Sequence, residues 1–402
     1  MLAVDEARRR IVAAMVPTPP ETISLAQAAG RVLAADIVAR VTQPPAAVSA
    51  MDGYAVRAAD AAAAPTRLRQ IGTAPAGKAF AGEVRAGETV RIFTGAPLPR
   101  GSDTIVIQEN ATAEGDRVTI EVPAAPGSHV RPAGLDFRAG DVGVAAGSLL
   151  TPRHVGLAAA MNVPWLEVRR RPRVALLATG DEIVRPGERI GADQIVSSNA
   201  LAMAAFLRAH GADPIDLGIA PDNRRSLAAM VDGIRGADLL VTMGGASVGE
   251  HDLVQTALGA RGLEIDFWRI AMRPGKPLMF GRIGNVAMVG VPGNPVSSLV
   301  CALVFILPAV SALAGLADPT AHPVRKVVLG ADLPANDERE DYLRATLAVD
   351  AEGRAVATPF AKQDSSMLSL LSRADCLAIR PAHAPPARAG DAIGIIELAT
   401  VL

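Results

Sequence analysis

From Arg173 onward, short apolar blocks alternate with amphipathic stretches. Val174–Thr179 (VALLAT) predicts a buried strand, and Ser197-Ser198-Asn199 predicts the cap of a helix running to His210 and stopped by Gly211. Pro214–Gly218 predicts the next strand, Asn223–Arg235 a helix, Leu239–Met243 a central strand and Leu253–Ala260 a helix. Phe267–Met272, Leu278–Phe280 and Val286–Val289 read as further short strands. This alternation predicts a three-layer α/β domain with a mostly parallel sheet over residues 172–317.

The flanks have a different rhythm. Ala3–Met15 predicts an amphipathic helix ended by Pro17-Thr18-Pro19-Pro20, and Glu21–Ala29 a second short helix closed by Gly30. Over 46–130, runs such as Thr89–Phe93 and Val118–Val122 alternate between Gly, Pro and Asp turns, which predicts a β-rich inserted domain. Around 131–171 the chain turns through RPAGLDFRAGD into a helix beginning near Thr151-Pro152-Arg153. Residues 318–402 return to β-like runs at Lys326–Leu329, Tyr342–Ala348, Cys376–Ile379 and Ala392–Leu398, predicting a small C-terminal β domain. One stretch, 296–316, is apolar enough to resemble a membrane span. Its serines, its internal Pro308 and the absence of a close basic flank fit a helix buried inside the protein equally well.

Composition narrows the function classes. With 402 residues, half of them apolar and a net charge of −1, the chain is globular and multidomain, and a nucleic-acid-binding role is not indicated. Cys301 and Cys376 stand far apart, so neither a disulfide framework nor a zinc site is indicated. The amino terminus lacks a signal-peptide core, and a cytoplasmic protein without a membrane partner fits best. There is no HExxH, no Walker loop and no Ser-His-Asp pattern, which disfavours covalent nucleophilic catalysis.

The candidate chemistry lies in loops that end apolar strands. In DLLVTMGGASVGEHD, Leu239–Met243 feeds Gly244-Gly245 and Ser247, and two readings fit: an anion cradle, or a tight βα connection with no ligand. Asp181 and Glu182, Asp222, and Glu250 with Asp252 put acids on successive loops of one domain. Each alone reads as a helix cap or first-turn residue; together they could hold Mg²⁺ beside substrate phosphates. Arg273-Pro274-Gly275-Lys276-Pro277 can present two cations to one oxyanion or serve as a solvated turn. Pro292-Gly293-Asn294-Pro295, followed by Ser297 and Ser298, is a second rigid loop before a helix.

Seven motifs in order, SAMDGYAV, FTGAPLPRGSDTIV, LATGDEIV, LGIAPDN, MGGASVGEHD, MRPGKPLMFG and VPGNPVSS, resemble the molybdopterin molybdenumtransferases, the family of bacterial MoeA and the gephyrin E domain. The resemblance is strong over about 45–300. It implies an elongated N-terminal linker domain made of residues 1–45 plus 131–171, a central molybdopterin-binding domain and a barrel-like C-terminal domain. The implied reaction takes adenylylated molybdopterin and molybdate, with Mg²⁺, to molybdenum cofactor and AMP.

The same resemblance distributes roles. Catalytic work falls to Asp52, Thr94, Asp136, Glu182, Asp222 and Asp252, and metal binding to Asp181, Glu182, Asp222 and Asp252. Gly244, Gly245, Ser247, Ser198, Asn199, Pro292, Gly293, Asn294 and Pro295 would bind the pterin substrate. Arg273, Lys276, Ser297, Arg344 and Ser366 would bind molybdate, Arg273 standing where the family commonly has lysine. A homodimer with a cleft shared between subunits is implied, as is a molybdoenzyme or cofactor carrier as downstream partner. A gephyrin-like scaffold and the related molybdopterin adenylyltransferase are the competing readings. The acids together with Lys276 argue against the first, and the inserted and C-terminal domains against the second.

Overall fold

The structure, a computed structural model, describes residues 1–221, 223–244, 258–259, 261–320 and 324–400. At its centre is a six-stranded sheet in the order Asp213–Ala220, Arg173–Thr179, Leu239–Met243, Val286–Val291, Met279–Ile283, Leu263–Trp268. The first four strands are mutually parallel; Met279–Ile283 pairs antiparallel with Val286–Val291, and Leu263–Trp268 antiparallel with Met279–Ile283. Strand alternation divides the core between two faces. Val174, Leu176, Val241 and Val289 pack with Phe206, Leu207 and Phe305 on one side. Ala175, Leu177, Leu240 and Met288 pack with Leu227 and Ile234 on the other. The mostly parallel three-layer domain expected from the alternating pattern is present.

The apolar run is a helix, Pro295–Leu313, long and apolar enough to cross a membrane; 83% of its most apolar window is buried inside the protein. It lies against the sheet and the N-terminal helix Val4–Ala13. Its middle, Ala302–Ile306, widens into a π-helical segment just ahead of Pro308, which lacks an N–H and crowds the preceding turn.

Residues 28–39 and 137–168 share one core, built by Leu33, Ile37, Phe137, Leu150, Leu166 and Val168. Here the helix expected over Glu21–Ala29 is corrected. Pro20–Ser24 is a strand paired antiparallel with Trp165–Arg169, and a single 3-10 turn, Leu25–Gln27, follows. Thr22 and Ile23 favour the extended state, and the partner strand lies far along the chain, outside any local pattern.

The insert is a six-stranded sheet running Thr104–Ile107, Gly53–Val56, Glu88–Ile92, Thr66–Ala74, Arg117–Ile120, Ala111–Glu114. In the C-terminal domain Glu340–Val349 pairs with Ala355–Pro359, and the ring continues through Arg325–Leu329, Ala392–Glu397 and Cys376–Arg380 back to Glu340–Val349. This closes a five-stranded barrel and leaves no free edge within the ring. Met272–Arg273 runs parallel to Glu340–Asp341, so a short strand of the central domain extends the barrel's sheet.

Candidate functional site

A cleft of about 590 Å³ opens at the carboxyl ends of the parallel strands, where open α/β sheets hold ligands. Its floor is set by Thr179, Gly244 and the Pro292–Pro295 loop. Gly244 takes φ +94°, and a Cβ there would lie 2.6 Å from the Thr179 carbonyl oxygen, so only glycine fits. The two loops meet: a Cβ on Gly293 would lie 3.5 Å from Gly244 Cα. Thr179 lines the cleft, is only 4% exposed, and its buried Oγ1 has no hydrogen-bond partner among the described residues.

Ser198 and Asn199 line the same cleft. The expected serine cap is absent: Ser198 makes no side-chain capping bond, and Asn199 Nδ2 donates to the Gly293 carbonyl at 2.6 Å. That bond ties the start of helix Asn199–Ala209 to the Pro292–Pro295 loop. On the loop's other side Asn294 Nδ2 donates to Ser365 Oγ at 2.9 Å, and Val296 N donates to the Ser365 carbonyl. The barrel domain therefore holds the first turn of the long helix. Ser366, next along, lines the cleft while donating to Asp364 Oδ1 at 2.7 Å.

Glu182 and Lys276 bring opposite charges to the lining. Gly180 at φ +139° lets the Glu182 carboxylate fold over it, since a Cβ on Gly180 would lie 2.5 Å from Oε2. Asp181 is exposed beside it. Asp222, Asp252, Gly245 and Ser247 lie outside the described residues. Of the four acids expected to hold a metal, Glu182 alone among the described residues lines the cleft. No group of three or more His, Cys, Asp or Glu side chains suited to a metal gathers among the described residues. By themselves they do not make up an Mg²⁺ shell.

Three residues expected at the oxyanion are placed otherwise. Arg273 is not in the lining; its Nε and Nη2 donate to the two carboxylate oxygens of Asp341 at 2.8 and 2.7 Å, and Asp337 lies 3.3 Å away. These carboxylates raise the guanidinium's pKa, with the Asp341 hydrogen bond as the main cause and burial opposing it. Arg344 is 1% exposed, with Nη1 donating to the Asp364 carbonyl at 2.8 Å and Nε to Gln363 Oε1 at 3.2 Å. It organises the loop that carries Ser365 and Ser366. Ser297 is buried at 4% exposure and is likewise absent from the lining. For the two arginines the charge expected at the ligand is used by a tertiary contact that local sequence does not announce.

Asp52 and Thr94 pair with each other in the insert, Thr94 N and Oγ1 each donating to Asp52 Oδ1 at 2.8 Å. Those two bonds, with Arg91 nearby, hold the carboxyl below its usual range against a small desolvation cost. Asp136 is exposed in the linker domain. None of the three lines the cleft formed by one chain. Sequence reasoning overlooked Thr179, Trp268 and Arg269, all of which line it. A Trp-Arg pair just before the RPGKP turn was the available signal.

Comparison with known proteins gives the family. Residues 2–162 match the family described as MoeA N-terminal region (domain I and II), residues 175–312 the probable molybdopterin binding domain, and residues 326–398 the MoeA C-terminal region (domain IV). The chain is 33% identical over 398 residues to the molybdopterin molybdenumtransferase of Haemophilus influenzae, covering 98% of each. It is 38% identical over 357 residues to molybdopterin molybdenumtransferase 2 of Mycobacterium tuberculosis, covering 86% of this chain and 88% of that one. A solved molybdopterin biosynthesis MoeA protein from Pyrococcus horikoshii superposes with a TM-score of 0.85 at 25% identity, covering 99% of this chain and 100% of that one. The chain belongs to the molybdopterin molybdenumtransferase family and is a transferase of molybdenum cofactor biosynthesis.

Proposed function

We propose that the cleft binds adenylylated molybdopterin and molybdate, and that the enzyme cleaves the adenylate to release AMP and molybdenum cofactor. The observation that carries this reading is the meeting of Gly244, the Pro292–Pro295 loop, Lys276 and Glu182 around one cleft at the strand ends. The glycine turn and the start of the long helix suit a phosphate, and Lys276 with Ser366 suits a tetrahedral oxyanion. Arg273 and Arg344 act one step back, as positioning residues that hold the loops bearing Lys276 and Ser366. Mg²⁺, when bound, would neutralise phosphate charge, with Glu182 offering it one oxygen and Asp222 and Asp252 expected to add theirs. We also assign Asp52, Thr94 and Asp136 to the same reaction from the second subunit of a homodimer, because within one chain they do not line the cleft.

The test is a reaction of the purified full chain with adenylylated molybdopterin, Mg²⁺ and molybdate, with AMP followed chromatographically. Molybdate-dependent AMP release is expected. Glu182→Ala should slow it by about 100-fold or more while leaving the unfolding midpoint unchanged. Absence of molybdate-dependent AMP release by the parent protein would refute the reaction.

A further inference from the structure

We propose that Arg269, laid over the ring of Trp268, is a second cationic ligand of the cleft and clamps a tetrahedral oxyanion together with Lys276. The strand Leu263–Trp268 ends where Arg269 adopts φ +77°, a left-handed conformation that glycine would accept freely and arginine does not. The backbone is pinned there from several sides. Arg269 N donates to the Leu278 carbonyl, Leu2 N to the Arg269 carbonyl, and Ile270 N to the Lys276 carbonyl at 3.1 Å. Ile270 and Leu278 are fully buried, so the hairpin carrying both cations is anchored in the core. Arg269 and Lys276 thus rise from facing arms of one short hairpin, and both line the cleft.

The side chain explains why a strained arginine stands at this turn. Its guanidinium carbon lies 4.3 Å from the Trp268 ring centroid, and it makes no ion pair with any described residue. Arg273, by contrast, is taken up by Asp341 and Asp337. A guanidinium held over an indole face by its π-system keeps N–H groups, directed outward in the guanidinium's own plane, for forking onto an oxyanion. Thr179, a 4%-exposed residue of the same cleft whose hydroxyl has no hydrogen-bond partner among the described residues, offers a third donor. A planar fork, a point charge and a hydroxyl together suit a tetrahedral oxyanion, either the phosphate of the nucleotide ester or molybdate. The proposal rests on the reading of this cleft given above.

The test uses Arg269→Gly, which removes the guanidinium and fits the backbone, so folding should be kept. Trp165, 60% exposed and outside the cleft, is replaced by Phe, leaving Trp268 as the only tryptophan. Affinities for AMP and for molybdate are measured separately by equilibrium dialysis, with Trp268 emission as a second readout. Arg269→Gly should weaken at least one of them by about 10- to 100-fold, the expected scale for a charged hydrogen-bonding group. Arg269→Lys should recover only part of the loss, and the melting temperature of Arg269→Gly should be equal or higher. Loss of AMP affinity places the phosphate at the clamp, and loss of molybdate affinity places molybdate there. Unchanged affinity for both, or no saturable binding of either by the parent, overturns the clamp. A parent that binds an oxyanion but releases no AMP refutes the reaction alone. AMP release together with unchanged Arg269→Gly affinities refutes the clamp alone.

Discussion

Asp52 carries its charge to lower pH than a free aspartate because one oxygen accepts from both the N–H and the hydroxyl of Thr94, with Arg91 nearby. Thr94→Val deletes the hydroxyl donor and keeps the backbone one. The Asp52 pKa should then rise toward the ordinary aspartate range, read from the pH dependence of its carboxyl carbon NMR resonance. The sign follows from linkage. A carboxyl with a depressed folded-state pKa contributes stability that is present above its unfolded value and lost as pH falls through the folded one. Thr94→Val should therefore move the acid-side loss upward in pH. A pKa that stays put would mean that the backbone N–H alone sets it. The same scale separates what local sequence makes visible from what it hides. Gly244 is legible because an apolar strand running into a glycine pair signals a turn that needs φ > 0. The orphan hydroxyl of Thr179 is not, since buried and unpartnered are properties of the packed state.

At the scale of elements, the hairpin of the RPGKP turn joins the central domain to the barrel through Met272–Arg273 and the Arg273–Asp341 pair. Asp341 is 7% exposed, so removing its partner strands a largely buried carboxylate. Arg273→Ala should cost about 1–2 kcal/mol, with Arg273's own partial exposure discounting the full charged-pair value. Urea unfolding at neutral pH measures it. Lys276→Ala should leave the midpoint in place and raise the molybdate concentration needed for half-maximal rate. Equal midpoints for the two variants would refute the division between a positioning arginine and a ligand lysine. Asp337 adds a pH dependence: Arg339 chiefly, with Arg273, lowers its pKa to about 2. Its contribution is full above the ordinary value of 3.8 and fades as pH drops toward about 2, so acid should loosen this junction within that window. The parallel strands Arg173–Thr179, Leu239–Met243 and Val286–Val291 are legible because buried parallel strands write themselves as unbroken apolar blocks, whereas the antiparallel edge strand Leu263–Trp268, expected at Phe267–Met272, alternates in exposure and does not. The Arg273–Asp341 contact joins residues 68 apart in different domains, and no local period encodes it. Helix Glu21–Ala29 failed as an expectation for the same reason, its strand partner lying beyond the insert.

If Asp52, Thr94 and Asp136 of the insert and linker take part in chemistry at the sheet edge, they must reach it from outside the cleft of their own chain. Glu182 and Lys276 line the cleft of one chain, while Asp52 and Thr94 are paired with each other in the insert and Asp136 lies exposed in the linker. A two-fold dimer solves this if each site takes Glu182 from one subunit and Asp52 from the other, which makes both sites equivalent by symmetry. The arrangement has a quantitative consequence. Asp52→Asn and Glu182→Gln should each abolish most AMP release as pure dimers. Mixed in equal amounts under conditions that exchange subunits, they form hybrids as about half of the dimers. Each hybrid has one site carrying both changes and one site carrying neither. Activity should therefore recover to about one quarter of the parental value, from two preparations that are nearly inactive alone. If each site were built within one chain, every site in every hybrid would carry a change, and no recovery could follow. Sedimentation must show dimers before and after mixing, because a monomeric parent would remove the premise along with the expected recovery.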